Sequence, residues 1–451
     1  MSRAPTAVVG TGFAGFGAGH RLDAAGRDHV VFDRNSHFGG HTASHRVGGF
    51  IFDQGPHVSF AKDERVQQIL ADAVGGEYED VRIGLDSYWH GRLLTHPVQV
   101  NLHGLPDDLI VKVLLDLIDA ANAASDDEAP PADYESWLRR SYGDTFAEAF
   151  PMIYGEKYHT TGMADLTTDW LGPRMYRPSV EEALRGALSP TPVRDLHYVT
   201  QFRYPTDGGY ESYLRSWVDR SDVRLDHEIV GIDTRNRVLR FTNGEHFGYD
   251  ELISSIPLPA LIPLIDDAPR EVAAAAQRLA FSSVLLVNIG VNRPGLGGDT
   301  HIRYVYDDDI PFSRINFPHR LSPKVVPAGT SAVQVEWYFS DKYRPLTVDP
   351  DSLIDPTIEH LRAMNILAAD DEILVSEAQL ARYANVIYDH DRPAAVGAIH
   401  PYLEQVGVHV CGRYGEWNHL WTDESFLSGE HAAEVALSRL RSGGGVPTVV
   451  D

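Results

Sequence analysis

The chain has 451 residues, 43% of them hydrophobic and 23% charged, with a formal net charge of −25. Its length predicts about two or three domains, and its composition is that of an ordinary globular protein. So acidic a balance argues against nucleic acid or an anionic membrane surface as partner, and the lack of any run of about 18 apolar residues predicts no membrane-spanning helix. The opening Met1-Ser2-Arg3 passes straight into a strand, leaving no room for a signal peptide, and Cys411 is the lone cysteine. Both features predict a reducing, cytoplasmic setting.

The apolar run Ala7-Val8-Val9 enters Gly10-Thr11-Gly12-Phe13-Ala14-Gly15 and continues as a helix, and the next strand, His29–Phe32, ends in Asp33. Strand, glycine turn, helix and acid form the dinucleotide-binding fingerprint. Gly10 permits the tight turn, Gly12 lets backbone approach a pyrophosphate, Gly15 lets helix and strand pack, and Asp33 accepts ribose hydroxyls. The pyrophosphate sits on the positive end of the helix. The stretch Asp33-Arg34 to Gly39-Gly40-His41 adds a second glycine pair just after the acid. It reads as an approach to a flavin dinucleotide rather than a plain exposed loop. His37, His41 and His45 are spaced by four, but Gly39-Gly40 breaks any helix and no acid or cysteine completes the set, so no metal site is predicted. Gly55-Pro56-His57 follows the strand Phe50–Asp53, and His57 reads equally as a loop histidine or as a ring held against a cofactor.

Ser87–Leu94 reads as a hairpin turning at His90-Gly91. Helices are predicted over Asp107–Ala124, with Pro106 just ahead, and over Tyr134–Tyr158. The stretches around 60–85 and 296–312 read as surface loops. Strands return at Val223–Leu225, Ile229–Ile232, Val238–Phe241 and Glu251–Ser254, and the segment 281–340 is β-rich. A helix is predicted around Pro356–Leu367, then a strand at Val408–Cys411, a turn at Gly412, and a last helix over Ser425–Arg441; the segment Gly412–Trp417 before it reads either as an ordinary strand-to-helix turn or, as in flavoproteins of this layout, as the lead into a helix N-terminus that points at the flavin. Arg174 and Arg314 read either as surface charge or as phosphate ligands; the aromatic flanks of Arg314, on a strand, favour bidentate phosphate recognition. There is one GxGxxG only, and no GxSxG, P-loop or CxxC. A second nicotinamide domain, and hydrolase, kinase or thiol-redox chemistry, lose their usual support.

Taken in order, Gly10–Gly15, His37-Phe38-Gly39-Gly40, Gly55-Pro56-His57, Gly91-Arg92-Leu93-Leu94-Thr95-His96-Pro97, Phe202-Arg203-Tyr204-Pro205 with Gly208-Gly209-Tyr210, and Gly412-Arg413-Tyr414-Gly415-Glu416-Trp417 resemble the flavin-dependent UDP-galactopyranose mutases and their amine-oxidase-like relatives. The resemblance implies an α/β fold: a Rossmann-like FAD-binding domain in three pieces (1–86, 200–260, 400–442), a helical insertion (104–199), and a mixed or antiparallel β-sheet substrate domain (hairpin 87–103 and 261–399), with a tail from 443.

The same resemblance implies a redox-neutral ring contraction of a nucleotide sugar, in which reduced FAD offers N5 to the anomeric carbon, with NAD(P)H as an external reductant. It implies a cofactor held by Gly10, Gly12, Phe13, Ala14, Gly15, Asp33, Arg34, Gly39, Gly40, His41, His57, Val230, Gly412, Arg413 and Ser425. Substrate would meet Tyr154, Lys157, Tyr158, Arg174, Tyr210, Arg314, Asn385 and His419, with His57, Arg174 and Arg314 at the reacting centre. Asn385 and His419 stand nearest the two tyrosines that the family presents to the diphosphate, and Lys157-Tyr158 nearest its Lys-x-Trp, which implies a sugar nucleotide other than UDP-galactose. The alternative is an FAD oxidoreductase of the amine-oxidase or protoporphyrinogen-oxidase kind, whose pocket would be apolar or aromatic and free of phosphate clamps.

Overall fold

The computed structural model describes residues 4–123, 130–172, 175–193 and 201–442. Five short strands make a parallel sheet in the order Val408–Val410, Leu252–Ser254, Thr6–Val9, His29–Phe32, Val223–Arg224. Thr6–Val9 is buried along its whole length, as a strand covered on both faces must be. The first helix, Phe13–Ala24, and the last, Thr422–Arg441, lie against each other beside this sheet. Small residues set how close they come. A Cβ on Gly17 would overlap the Phe426 carbonyl, and one on Gly429 the Ala14 carbonyl.

A second, seven-stranded sheet runs Ile373–Val386, Phe281–Val291, Ser331–Phe339, Arg314–Asn316, Ile302–Val305, Leu85–Trp89, Arg92–Thr95. Its neighbours are antiparallel except for Ile302–Val305 beside Leu85–Trp89. Every residue of Phe281–Val291 is buried, so this strand is the spine of the sheet. The fold is therefore α/β, with a Rossmann-like parallel sheet and a mixed sheet. A group of helices gathers its own apolar cluster around Leu138, Tyr142, Phe146 and Phe150.

The hairpin turns as expected, with His90 at φ 45° and Gly91 at φ 76°, the left-handed pair a two-residue turn needs. The helical patterning expected over Tyr134–Tyr158 is present and divides into three helices: Tyr134–Tyr142, Asp144–Ala149 and Pro151–His159. Gly143, at φ 79°, ends the first, and Pro151, lacking an N–H, restarts the chain as an N1 residue. The loop expected over 60–85 holds the helix Glu64–Ala73, whose N-cap Asp63 accepts from the Arg65 and Val66 amides, and the strand Tyr78–Arg82. The loop expected over 296–312 contains the strand Ile302–Val305. Sequence reading names neither the strand Ile373–Val386 nor the helix Arg392–Val406. The first is a sheet-edge strand whose exposed positions mix Leu374 and Leu380 with Ser376 and Arg382, and the second carries prolines at 393 and 401, so each lacks a clean hydrophobic period. No helix among the described residues is long and apolar enough to cross a membrane.

Candidate active site

The turn after the first strand is shaped by what a side chain would hit. Gly10 adopts φ +110°, and a Cβ on Gly15 would overlap the Gly10 carbonyl oxygen, so glycine is required for the helix to fold back on the turn. Gly12 differs. Its φ is −82°, and a Cβ there would stand 3.6 Å from the Gly39 oxygen and 3.9 Å from the Gly40 Cα. It would clash with nothing but would fill the groove between the two glycine loops. Gly39 and Gly40 have φ 108° and 54°, and the Gly39 amide donates to the Thr11 carbonyl at 3.3 Å. The first helix begins at Phe13 and Ala14 with no side-chain cap, so its leading N–H groups are ready for an anion. A groove of bare backbone at an uncapped helix N-terminus fits the pyrophosphate of FAD.

Asp33, expected to meet a ribose, braces the turn. Its Oδ2 accepts from the Thr11 amide at 3.0 Å and the Thr11 hydroxyl at 2.6 Å, and its Oδ1 accepts from the Asn35 amide and side chain, each at 3.0 Å. Beside it, the His227 amide donates to the Asp33 carbonyl at 2.8 Å, which draws the following segment towards this end of the groove. There Val230 is 53% exposed, and the ladder slips between Ile229 and Gly231, a bulge that frees the Val230 backbone from pairing.

At the other end Gly412, at φ 76°, would place a Cβ 2.8 Å from the Ala14 Cβ; its amide donates to Ser428 Oγ at 2.8 Å. Arg413 donates through Nε to the Leu420 carbonyl at 3.0 Å. His41 lies 5.0 Å from the Tyr414 ring. Burial pushes the His41 imidazole down to about 4, helped by His57, Arg413 and the exposed Arg34. Ser425 sits in the first turn of the last helix, and its amide donates to the Trp421 carbonyl. That helix start carries Asp423 and Glu424, and Glu424 accepts from the Trp421 amide at 2.8 Å. These acids offset the positive helix end that was expected to face the flavin.

His57 turns its Nδ1 to the Gly55 carbonyl at 3.0 Å. Burial lowers its pKa to about 4, with the charges of Arg413 and Arg314 acting in the same direction, so the ring is neutral at pH 7. Tyr210, expected to touch substrate, is fully buried. It packs 5.4 Å from His57 and 5.6 Å from Phe13, and its hydroxyl meets Thr422 Oγ1 at 2.9 Å. In this arrangement Tyr210 supports His57 from behind. Tyr210 is in turn anchored by Asp53, whose carboxylate accepts from Ser44 Oγ at 2.6 Å, the Tyr204 hydroxyl at 2.7 Å and the Tyr210 amide at 3.1 Å. Burial pushes the Asp53 carboxyl up to about 6 despite those donors.

Arg314 stands on the strand Arg314–Asn316 as expected, but it is not a free cation. Its Nε and Nη2 reach Glu336 Oε2 at 2.8 and 2.6 Å, and Nη2 also donates to the Tyr338 hydroxyl at 3.0 Å. Glu336 is 1% exposed and further accepts from Asn316 Nδ2 at 2.7 Å. Glu336 thus takes the side-on edge of the guanidinium, and the end-on edge is set at a fixed angle. The guanidinium lies 5.5 Å over the Tyr158 ring. Tyr158 is 4.8 Å from Tyr338 and stacks on Tyr154 at 5.7 Å, which is 5.5 Å from Tyr304. The Tyr158 hydroxyl donates to Asn385 Oδ1 at 2.9 Å.

The described residues therefore bring His41, His57, Arg413, Arg314, Tyr158 and Asn385 together. His419 sits past the Arg413 turn, its amide donating to the Tyr388 hydroxyl at 2.7 Å. Lys157, expected to reach substrate, spends its ammonium on backbone: Nζ donates to the Val305 carbonyl at 3.2 Å and also to the Asp307 carbonyl. Arg174 lies outside the described residues. Sequence reading missed Glu336, Tyr338, Tyr304 and Asp53. The first two stand in Val335-Glu336-Trp337-Tyr338, where an acid inside an otherwise apolar strand was the available signal.

A family model described as flavin containing amine oxidoreductase matches residues 13–437. The coproporphyrinogen III oxidase of Mycobacterium leprae is 26% identical over 308 residues, 62% of this chain and 65% of that protein. The protein of the same name from Mycobacterium tuberculosis is 28% identical over 302 residues, with the same two shares. The match spans less than two thirds of those relatives' length. A crystal structure of reduced UDP-galactopyranose mutase superposes with a TM-score of 0.91 at 24% identity, covering 97% of this chain and 94% of that one. That likeness is one of fold.

Proposed function

This chain belongs to the flavin-containing amine oxidoreductase family, and from that premise we propose that it is a flavin-dependent nucleotide-sugar pyranose/furanose mutase, acting on a sugar nucleotide other than UDP-galactose. The observation that carries the reading is the partly buried guanidinium of Arg314, held at a set angle by Glu336 among Tyr158, Tyr304 and Tyr338. The edge of the guanidinium that Glu336 leaves open suits an oxygen of a departing diphosphate. Reduced FAD, when bound, supplies the electron-rich N5 that the chemistry requires.

The chain's own residues then bind and orient. The glycine groove and the uncapped helix start would hold the dinucleotide, and neutral His57 would face it without adding charge. Tyr154 and Tyr158 offer ring faces to a base or sugar, and Arg314 holds the diphosphate within return distance of the anomeric carbon. Asn385 and His419, where the resemblance leads one to expect tyrosines, change the polar groups around the diphosphate, which supports a different sugar nucleotide.

The competing reading is an oxidase, the activity named for the mycobacterial relatives. Purified holoenzyme, reduced anaerobically, is incubated with UDP-, dTDP- and GDP-hexoses and the products are separated. Formation of an equal-mass isomer only when the flavin is reduced supports the mutase. Steady oxygen consumption with a porphyrinogen or an amine, and no isomer, overturns it.

A further inference from the structure

Lys157 is 7% exposed and stands on the helix Pro151–His159, between the two tyrosines that face the site. Its ammonium donates to the carbonyls of Val305 and Asp307, the residues that end the strand Ile302–Val305 and begin the next loop. This strand carries Tyr304, and the loop Tyr306, whose rings lie 5.5 and 5.9 Å from Tyr154. The same loop is tied at its far side to the hairpin turn. Asp307 Oδ1 accepts from the His90 amide at 2.8 Å and lies 3.3 Å from His90 Nδ1, while the buried Oδ2 has no partner among the described residues.

We infer that Lys157 is a positioning residue: its ammonium bolts the tyrosine-bearing helix to the strand wall and so sets the width of the nucleotide cleft. The inference rests on the function proposed above. Nζ donates to two carbonyls and, among the described residues, pairs with no carboxylate; the neutral amine keeps two N–H groups, but its hydrogen bonds lose the charge that strengthens them. The charged groups facing it are Asp307, Asp308 and Asp309 from the loop, with His90 behind Asp307. Burial brings the Lys157 pKa down to about 8, against the pull of those three acids. The bolt therefore loosens as pH rises through about 8.

The test measures UDP and dTDP binding to FAD-loaded wild type, Lys157→Met and Lys157→Arg by titration calorimetry from pH 7 to about pH 9. Wild type is expected to lose affinity over that range. Lys157→Met should bind about tenfold more weakly at pH 7, because fewer molecules have the cleft at its binding width, and should show no further loss with pH. Lys157→Arg should bind nearly as wild type at pH 7 and hold its affinity to the top of the range, because a guanidinium stays charged. Flavin content, read from visible absorbance, should be equal in all three. Should Lys157→Met fail to fold, the pH profile of Lys157→Arg decides. Unchanged affinity in Lys157→Met, or a wild-type-like pH fall in Lys157→Arg, overturns the inference and leaves the proposed function standing. A flavin-loaded wild type that binds neither nucleotide overturns the function and this inference with it.

Discussion

Arg314 and Glu336 are register partners on adjacent antiparallel strands, and the partly exposed guanidinium meets the buried carboxylate at 2.6 Å. A buried pair of this kind is weak support for stability, because desolvation of both ions cancels most of their attraction. What the pair supplies is a guanidinium with a fixed orientation. Arg314→Ala should lower stability by about 3–5 kcal/mol, since it strands a buried carboxylate, and should abolish measurable nucleotide binding. The double variant with Glu336→Gln should recover most of the stability in urea denaturation but none of the binding. If binding returns with stability, Arg314 is a structural residue only.

The glycine turn separates two kinds of requirement. Gly15→Ala should yield no soluble protein, because its Cβ would overlap the Gly10 carbonyl. Gly12→Ala should fold with an unperturbed apo melting temperature yet purify without flavin, since its Cβ has ordinary room in the protein and occupies only the groove. A yellow Gly12→Ala protein with full absorbance would show that the pyrophosphate lies elsewhere.

Asp53 should make stability fall as pH rises from about 4 to about 6. Its folded pKa, near 6, lies above its ordinary 3.8, so in that window the native state holds a proton that the unfolded chain has lost. The full span corresponds to at most about 3 kcal/mol. Asp53→Asn keeps an acceptor for Ser44 and the Tyr210 amide and gives Tyr204 a donor, so it should flatten that slope. Denaturation curves of both proteins, compared at each pH, isolate the difference.

His57 should remain uncharged through the physiological range. Its imidazole resonances should titrate near 4 rather than near 6.5, and the acid side of any rate profile should show no step near 6.5 that His57→Asn removes. A titration close to the ordinary value would mean that water reaches the ring.

Cys411 should ignore thiol reagents in the native state. It is buried, and burial pushes its thiol up to about 12, so almost no thiolate exists at pH 8. Reaction with Ellman's reagent should begin only on adding denaturant.

The dinucleotide turn was legible because its demands are local. Strand, left-handed glycine, uncapped helix start and acid follow one another within 33 residues, and each constrains its neighbour by steric contact. The hairpin at His90-Gly91 was legible for the same reason. The helical segment was legible in kind but not in its breaks, which depended on one left-handed glycine and one proline that a periodic pattern averages over.

The amino-acid sequence by itself determined where backbone must come close to a ligand and which residue types could clamp a phosphate. Only the tertiary structure decided what those residues were already doing. Arg314 is spoken for by an acid 22 positions away, Tyr158 by an asparagine 227 positions away, and Lys157 by a carbonyl 148 positions away. Those pairings follow from strand register and from helices docking across a sheet. Such contacts between distant residues leave no spacing in the chain from which they could be read.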